Sequence, residues 1–137
     1  MNDIVVGVDQ SPTAREAAVT AASLAAETGS NLHIVMCLSR GSSREVQVGS
    51  DRFYLDSVAE AETYLSDLSR SLPHDRITST VGQGDPATAI CEEATRLDAR
   101  MIVVGNRRVK GISRVLGSVA ATVAKRAPCD VLIANTA

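Results

Sequence analysis

The chain has no tryptophan, one phenylalanine and two tyrosines, so Phe53, Tyr54 and Tyr64 are its whole aromatic complement. A single-strand nucleic-acid platform stacks bases on aromatic rings, and there is little here to stack on. A basic excess is also missing: 14 Lys and Arg stand against 16 Asp and Glu, a formal net charge of −2. That excludes the usual electrostatic footprint of a nucleic-acid or anionic-membrane binder. No apolar run approaches the roughly 18 residues of a membrane span. Met1-Asn2-Asp3 shows neither a basic nor an apolar leader segment, so no secretory signal is expected. The three cysteines, Cys37, Cys91 and Cys129, are odd in number and contain no C-x-x-C pair. A disulfide framework or zinc knuckle is therefore not expected, and buried thiols in a reducing cytosol are.

What remains is 137 residues, 45% hydrophobic, enough for one domain with a continuous core. Ile4 to Val8 is a short β-branched run, as expected of a strand buried on both faces. Ser11-Pro12 reads as a helix cap followed by proline at the first helical position. Alanine-rich residues 14–26 carry that helix, and Gly29 ends it. Leu32 to Leu38 is a second buried strand. Residues 39–52 are polar and read as a loop. Val58, Ala61, Leu65, Leu68 and Leu72 recur at helical spacing up to Pro73. Arg76 to Val81 predicts a weaker strand. Asp85-Pro86 repeats the cap-plus-proline signature before Ala89, Ile90, Ala94 and Leu97. Met101 to Val104 is a further strand, Gly105 to Gly117 a connection, Ser118 to Arg126 a helix and Val131 to Ile133 a last strand.

Strands and helices thus alternate throughout. Right-handed crossovers then favour a single doubly wound α/β domain with a five-strand parallel sheet. Such sheets bind ligands beyond the carboxyl ends of the strands, where strand order reverses. Asp9, Cys37 and residues 105–118 should lie at that edge.

The connection from Gly105 to Ser118 carries the most chemistry. Its glycines allow backbone amides to approach an anion. Gly117-Ser118 would put free N–H groups at a helix N-terminus, which suits phosphate. The Ser118 hydroxyl would either cap the helix or donate to a phosphate oxygen. Arg107, Arg108, Lys110 and Arg114 cluster within eight residues of an otherwise acidic chain, which suits a polyphosphate. Asp9 is either a ligand-facing carboxylate or a residue that only opens the first helix.

Other motifs carry less. Gly82 to Ala87 spells G-x-G-x-x-A, the form of a dinucleotide fingerprint. The next strand, however, ends in Val104-Gly105-Asn106 with no acidic residue for a ribose, so turn glycines before a helix explain it better. There is no P-loop, and no acidic cluster of a phospho-receiver. His33 is expected as a strand-face residue and His74 as a solvated turn residue. Neither sits near a serine or cysteine in a nucleophile motif, and no metal-ligand spacing is present.

Several segments together resemble the universal stress protein family over nearly the whole chain. They are Ile4-Val5-Val6-Gly7-Val8-Asp9-x-Ser11, Val81 to Ile90, Ile102 to Gly105, Leu116-Gly117-Ser118-Val119, and Ala127 to Ile133. The resemblance implies an adenine nucleotide alpha hydrolase-like sheet of order 3-2-1-4-5. It also implies ATP or another adenylate, with or without Mg²⁺, held by G-x-x-G, nine residues, then G-[ST]. Gly105, Gly117 and Ser118 match that pattern. Arg108 replaces its second glycine, and only eight residues separate Arg108 from Gly117. Gly111 could stand in for the missing glycine, and Arg108 could donate to phosphate directly.

By the same likeness, Asp9 would contact the ribose or adenine side, and the end of the second strand near Cys37 would meet adenine through its backbone; Gly7, Val8, Arg107 and Val119 are expected among the nucleotide-binding residues as well. The resemblance further implies dimerisation through the last strand, Val131 to Ile133, whose apolar edge suits pairing. The function expected is an adenylate-binding stress or regulatory protein, because the sequence offers phosphate donors but no clear general base for turnover. Two alternatives stay open: a homodimeric interaction protein of the same family that holds no nucleotide, and a slow ATP hydrolase using Asp9 or Ser118. A cytoplasmic location is expected.

Overall fold

A computed structural model of the chain describes residues 2–9, 11–38, 50–106 and 117–136. Five strands, β1 (Asp3–Val8), β2 (Asn31–Leu38), β3 (Ile77–Gln83), β4 (Met101–Asn106) and β5 (Asp130–Asn135), form one sheet in the order β3-β2-β1-β4-β5. Every neighbouring pair is parallel. The helices among the described residues are α1 (Pro12–Thr28), α2 (Ser50–Ser71), α3 (Pro86–Leu97) and α4 (Ser118–Arg126).

Local chemistry sets the helix ends. The Ser11 hydroxyl accepts the Ala14 N–H at 3.2 Å, and Gly29 takes the left-handed conformation, φ 66°, that closes α1. Asp85 caps α3 by accepting the Thr88 N–H at 2.9 Å. Gly84, φ 100°, makes the turn just before it, so the G-x-G-x-x-A run is a strand end, a turn and a cap, as its residues suggest. Two limits differ from the sequence reading. α2 already begins at Ser50, which takes residues 50–52 out of the expected loop, whose remainder lies outside the described residues. β4 continues through Gly105 and Asn106, because both pair with β5 as Gly105↔Ala134 and Asn106↔Asn135.

Strand alternation divides the core between the two faces. Ile4, Val6, Ile34 and Val103 pack against α1 and α2, with Leu65, Leu68 and Leu72 of the α2 region. Val5, Val35, Ile102 and Val104 pack against α3 and α4, with Ile90, Ala94 and Val123. α1 meets the sheet through Ala17, Ala18, Ala21, Ala22 and Ala25, all fully buried. Side chains this small let the helix backbone lie close over β1 and β4. β3 is an edge strand covered only in part, which accounts for its polar Thr78-Ser79-Thr80 run.

Candidate functional site

β1 leads through α1 to β2 on one side of itself, while β3 leads through α3 to β4 on the other. The chain directions part at the carboxyl ends of β1 and β4, and a crevice must open there. A cavity of about 380 Å³ occupies that place, within the range of small-molecule sites.

Its floor is Gly7 and Val8 of β1, Val35 and Cys37 of β2, and Val104 and Gly105 of β4. Its rim is formed by the first turns of three helices: Ser11, Thr13 and Ala14 of α1, Pro86 and Ile90 of α3, and Gly117 to Ala120 of α4. Helix N-termini point their free N–H groups and positive dipole ends outward. At α4 no side chain among the described residues caps these groups: Gly117 is the N-cap residue and supplies no cap hydrogen bond. Ser118, expected as a possible cap, instead begins the helix proper, one position too late to cap it. Among the described residues, a Cβ built on Gly117 would meet nothing within 4 Å.

Asp9 is the one carboxylate among the described lining residues. Its Oδ1 accepts the Ser11 N–H at 2.8 Å, and its backbone carbonyl accepts the Tyr64 hydroxyl at 3.4 Å. Burial and the Asp9 charge raise the Tyr64 pKa above its ordinary value, keeping that hydroxyl a donor. Cys37 donates through its thiol to the Gly84 carbonyl at 3.2 Å, tying the end of β2 to the turn before α3. Burial, followed by the Asp85 charge, pushes its thiol pKa up, so Cys37 is a wall and not a nucleophile. All three cysteines are free; Cys91 is buried, whereas Cys37 and Cys129 are half-buried rather than fully enclosed as expected.

The structure therefore gathers Gly7, Val8, Asp9, Cys37, Gly105, Gly117, Ser118 and Val119 around one cavity. Arg107, Arg108 and Gly111 lie outside the described residues, as do Lys110 and Arg114. Val35, Ile90, Val104 and Thr136 join the lining without having been singled out. The first three look like ordinary core residues in sequence. Thr136 reaches the site only because β5 pairs with β4, where its hydroxyl donates to the Asn106 carbonyl at 2.8 Å. Asn106, 8% exposed, ends β4, and its side-chain Oδ1 has no hydrogen-bond partner among the described residues.

Away from the cavity both histidines depart from their expected roles. His74 is not merely solvated: its Nε2 donates to the Ser30 carbonyl at 2.7 Å. His33 faces inward, 4% exposed, and belongs to a polar cluster with Thr78, Thr80 and Glu93. Among the described residues, no group of three or more His, Cys, Asp or Glu side chains is placed to hold a metal ion. No helix among them is long and apolar enough to cross a membrane.

A doubly wound parallel sheet of order 3-2-1-4-5, with a cavity at the switch point under three helix N-termini, defines the chain as an α/β domain of the doubly wound class. Within that class, the model of the Universal stress protein family matches residues 1–135, and the chain belongs to that family. It is 27% identical to Universal stress protein Sll1388 of Synechocystis sp., over 95% of each chain. A universal stress protein crystallised in complex with cAMP is 27% identical, with a TM-score of 0.72 over 99% of this chain and 98% of that one. The universal stress protein from Archaeoglobus fulgidus in complex with dAMP is 25% identical, with a TM-score of 0.71 over 97% of each chain.

Proposed function

We propose that the chain binds an adenine nucleotide in the switch-point cavity and acts as a regulatory ligand-binding protein without efficient turnover. The observation that carries this reading is the N-terminus of α4 at Gly117, which no side chain among the described residues caps or covers. Free N–H groups and a helix dipole suit a phosphate there. The remaining walls fit the rest of an adenylate. Val35, Ile90, Val104 and Val119 offer apolar contact to a base, and the Asp9 carboxylate can accept from ribose hydroxyls. The cAMP and dAMP complexes of two relatives give the ligand class. ATP, with or without Mg²⁺, and cyclic AMP are the forms to distinguish. Asp9 is the sole carboxylate in the described lining and is hydrogen-bonded to Ser11, which makes it a poor general base for water attack.

A homodimer through β5 accompanies this reading. β5 is the other sheet edge, and its Leu132 is 36% exposed between the half-buried Val131 and Ile133. An apolar, unpaired edge is a ready surface for a second copy.

A thermal-shift titration with ATP, ADP, AMP and cyclic AMP, with and without Mg²⁺, tests the ligand. A nucleotide at about 100 times its dissociation constant adds about 2.7 kcal/mol, a shift of several degrees. A selective shift supports the adenylate reading and selects its form. No shift with any of them, in protein verified to be nucleotide-free, refutes it and leaves the dimeric interaction protein.

A further inference from the structure

The polar cluster around His33 has the connectivity of an activated hydroxyl. His33 sits on β2 opposite Thr78 of the edge strand β3. Its Nε2 lies 2.9 Å from the Glu93 carboxylate on α3, and its Nδ1 lies 2.7 Å from the Thr78 hydroxyl. Glu93 is held in turn by Arg96, whose Nε and Nη2 donate to its two oxygens at 2.9 and 2.8 Å.

The proton positions follow from these partners. The Arg96 bonds, outweighing partial burial, keep Glu93 ionised by lowering its pKa, so it can only accept. Nε2 must therefore carry the hydrogen. Burial lowers the His33 pKa despite the opposing pull of Glu93, so the ring is neutral and Nδ1 keeps its lone pair. The Thr78 hydroxyl then donates to Nδ1. Thr80 supports the same tautomer, its hydroxyl lying 2.8 Å from Nε2 and donating to Glu93 at 3.3 Å. A hydroxyl donating to a neutral imidazole whose far nitrogen is anchored by a carboxylate is the nucleophile–base–orienter arrangement of covalent catalysis. The base is 4% exposed, whereas Thr78 is an exposed residue.

The backbone supplies the remaining element. The Leu32 N–H donates to the Arg76 carbonyl, so in this parallel ladder the even-numbered residues of β3 bond to β2. The Ser79 N–H consequently points to the open edge, immediately after Thr78. The N–H of the residue following a nucleophile is a usual oxyanion donor.

We propose that Thr78, His33 and Glu93 form a second reactive site, in which Thr78 accepts an acyl group from a small activated carboxylic ester. In that step Thr78 Oγ1 bonds to the ester carbonyl carbon as its proton passes to His33 Nδ1. The bond from that carbon to the leaving oxygen then breaks, and the leaving group departs with the proton. The products are the Thr78 ester and the free alcohol, with no change of oxidation state and no further reactant. The site lies in the same β2–α3 seam as the cavity, two residues before Val35 on β2 and about one turn beyond Ile90 on α3, and does not rest on the adenylate reading.

The test uses the full chain with p-nitrophenyl acetate, following p-nitrophenol release and locating the acetyl group by peptide mass spectrometry. The expected result is acetylation at Thr78 that is retained in Thr78→Ser, absent in Thr78→Val, and slowed about 10²-fold in His33→Gln, the lower end of general-base contributions. Glu93→Gln supplies a readout that a purely structural role would not move. Asp3 of β1 and Glu93 raise the proton affinity of His33, while Arg96 lowers it. Removing the Glu93 charge therefore shifts the pH midpoint of the reaction downward and lowers its plateau. Circular dichroism selects the variants that remain folded, and Glu93→Gln and Thr78→Ser carry the test if His33→Gln does not fold. No acetyl group on Thr78, or acetylation whose rate and pH midpoint ignore both His33→Gln and Glu93→Gln, overturns the proposal.

Discussion

Replacing Gly117 by valine separates the fold from the site. Gly117 has φ −63° and ψ 160°, an extended conformation that valine adopts readily, and a Cβ there would touch nothing within 4 Å among the described residues. Valine is a poorer N-cap residue than glycine, at a cost of up to about 1 kcal/mol. Losing a glycine from the unfolded chain returns about 0.4–1 kcal/mol. The net change is within about 1 kcal/mol, and Tm should move by less than about 5 °C. Binding should respond very differently. The added methyl groups fill the space through which a phosphate would approach the N–H groups of the first α4 turn. Loss of two hydrogen bonds to a charged group, at about 1.5–3 kcal/mol each, weakens affinity by about 10²- to 10⁴-fold. Isothermal titration calorimetry with the nucleotide selected by thermal shift, alongside a melting curve of the free protein, gives both numbers. Unchanged affinity in a folded variant would remove the α4 N-terminus from the site and refute the reasoning built on it.

Gly7→Ala should act on stability, because its Cβ would collide with Cδ1 of Ile90, the terminal methyl of a side chain that must turn aside. A loss of about 1 kcal/mol is expected in urea unfolding. Gly105→Ala, whose Cβ would meet Ala17, Thr136 and Thr13 only at 3.5 Å or beyond, should leave stability within about 0.5 kcal/mol in the same assay. Acid should destabilise the protein in two stages. The folded pKa of His33 lies below its ordinary 6.5, so its contribution is present above pH 6.5 and is lost as pH falls from there through the lower folded value. Glu93, lowered from 4.5, acts with the same sign further down. Melting temperatures in His33→Gln should lose the first stage only, and a wild-type Tm that stays level from pH 7.5 to 5.5 would contradict this. Leu132→Lys should shift the β5-edged dimer to monomer in sedimentation velocity; a dimer that persists at the same concentration would place the interface elsewhere.

Much of the fold was legible because it is written at short range. Ser11-Pro12 and Asp85-Pro86 mark helix starts through bonds spanning three residues, and both helices begin there. The β-branched run from Ile4 to Val8 has no face that tolerates water, and it is a central strand of the sheet. Local sequence ends that strand at Val104, whereas pairing with the distant Ala134 and Asn135 carries it on through Gly105 and Asn106. The candidate site was legible at Asp9, Gly117 and Ser118 because loops at the carboxyl ends of parallel strands must converge at a switch point.

The sequence alone determined the order of elements, their caps and the glycines at their turns, since all of these depend on neighbours within a turn or a strand. Tertiary structure alone decided which walls face the cavity and what the histidines do. Thr136 reaches the lining through β4–β5 pairing, and His33 meets Thr78 across 45 residues of sequence. Such contacts depend on register between distant strands and on the face that a crossover helix covers. A one-residue change in register would turn Thr78 and His33 to opposite faces of the sheet. Nothing local to either residue records that choice.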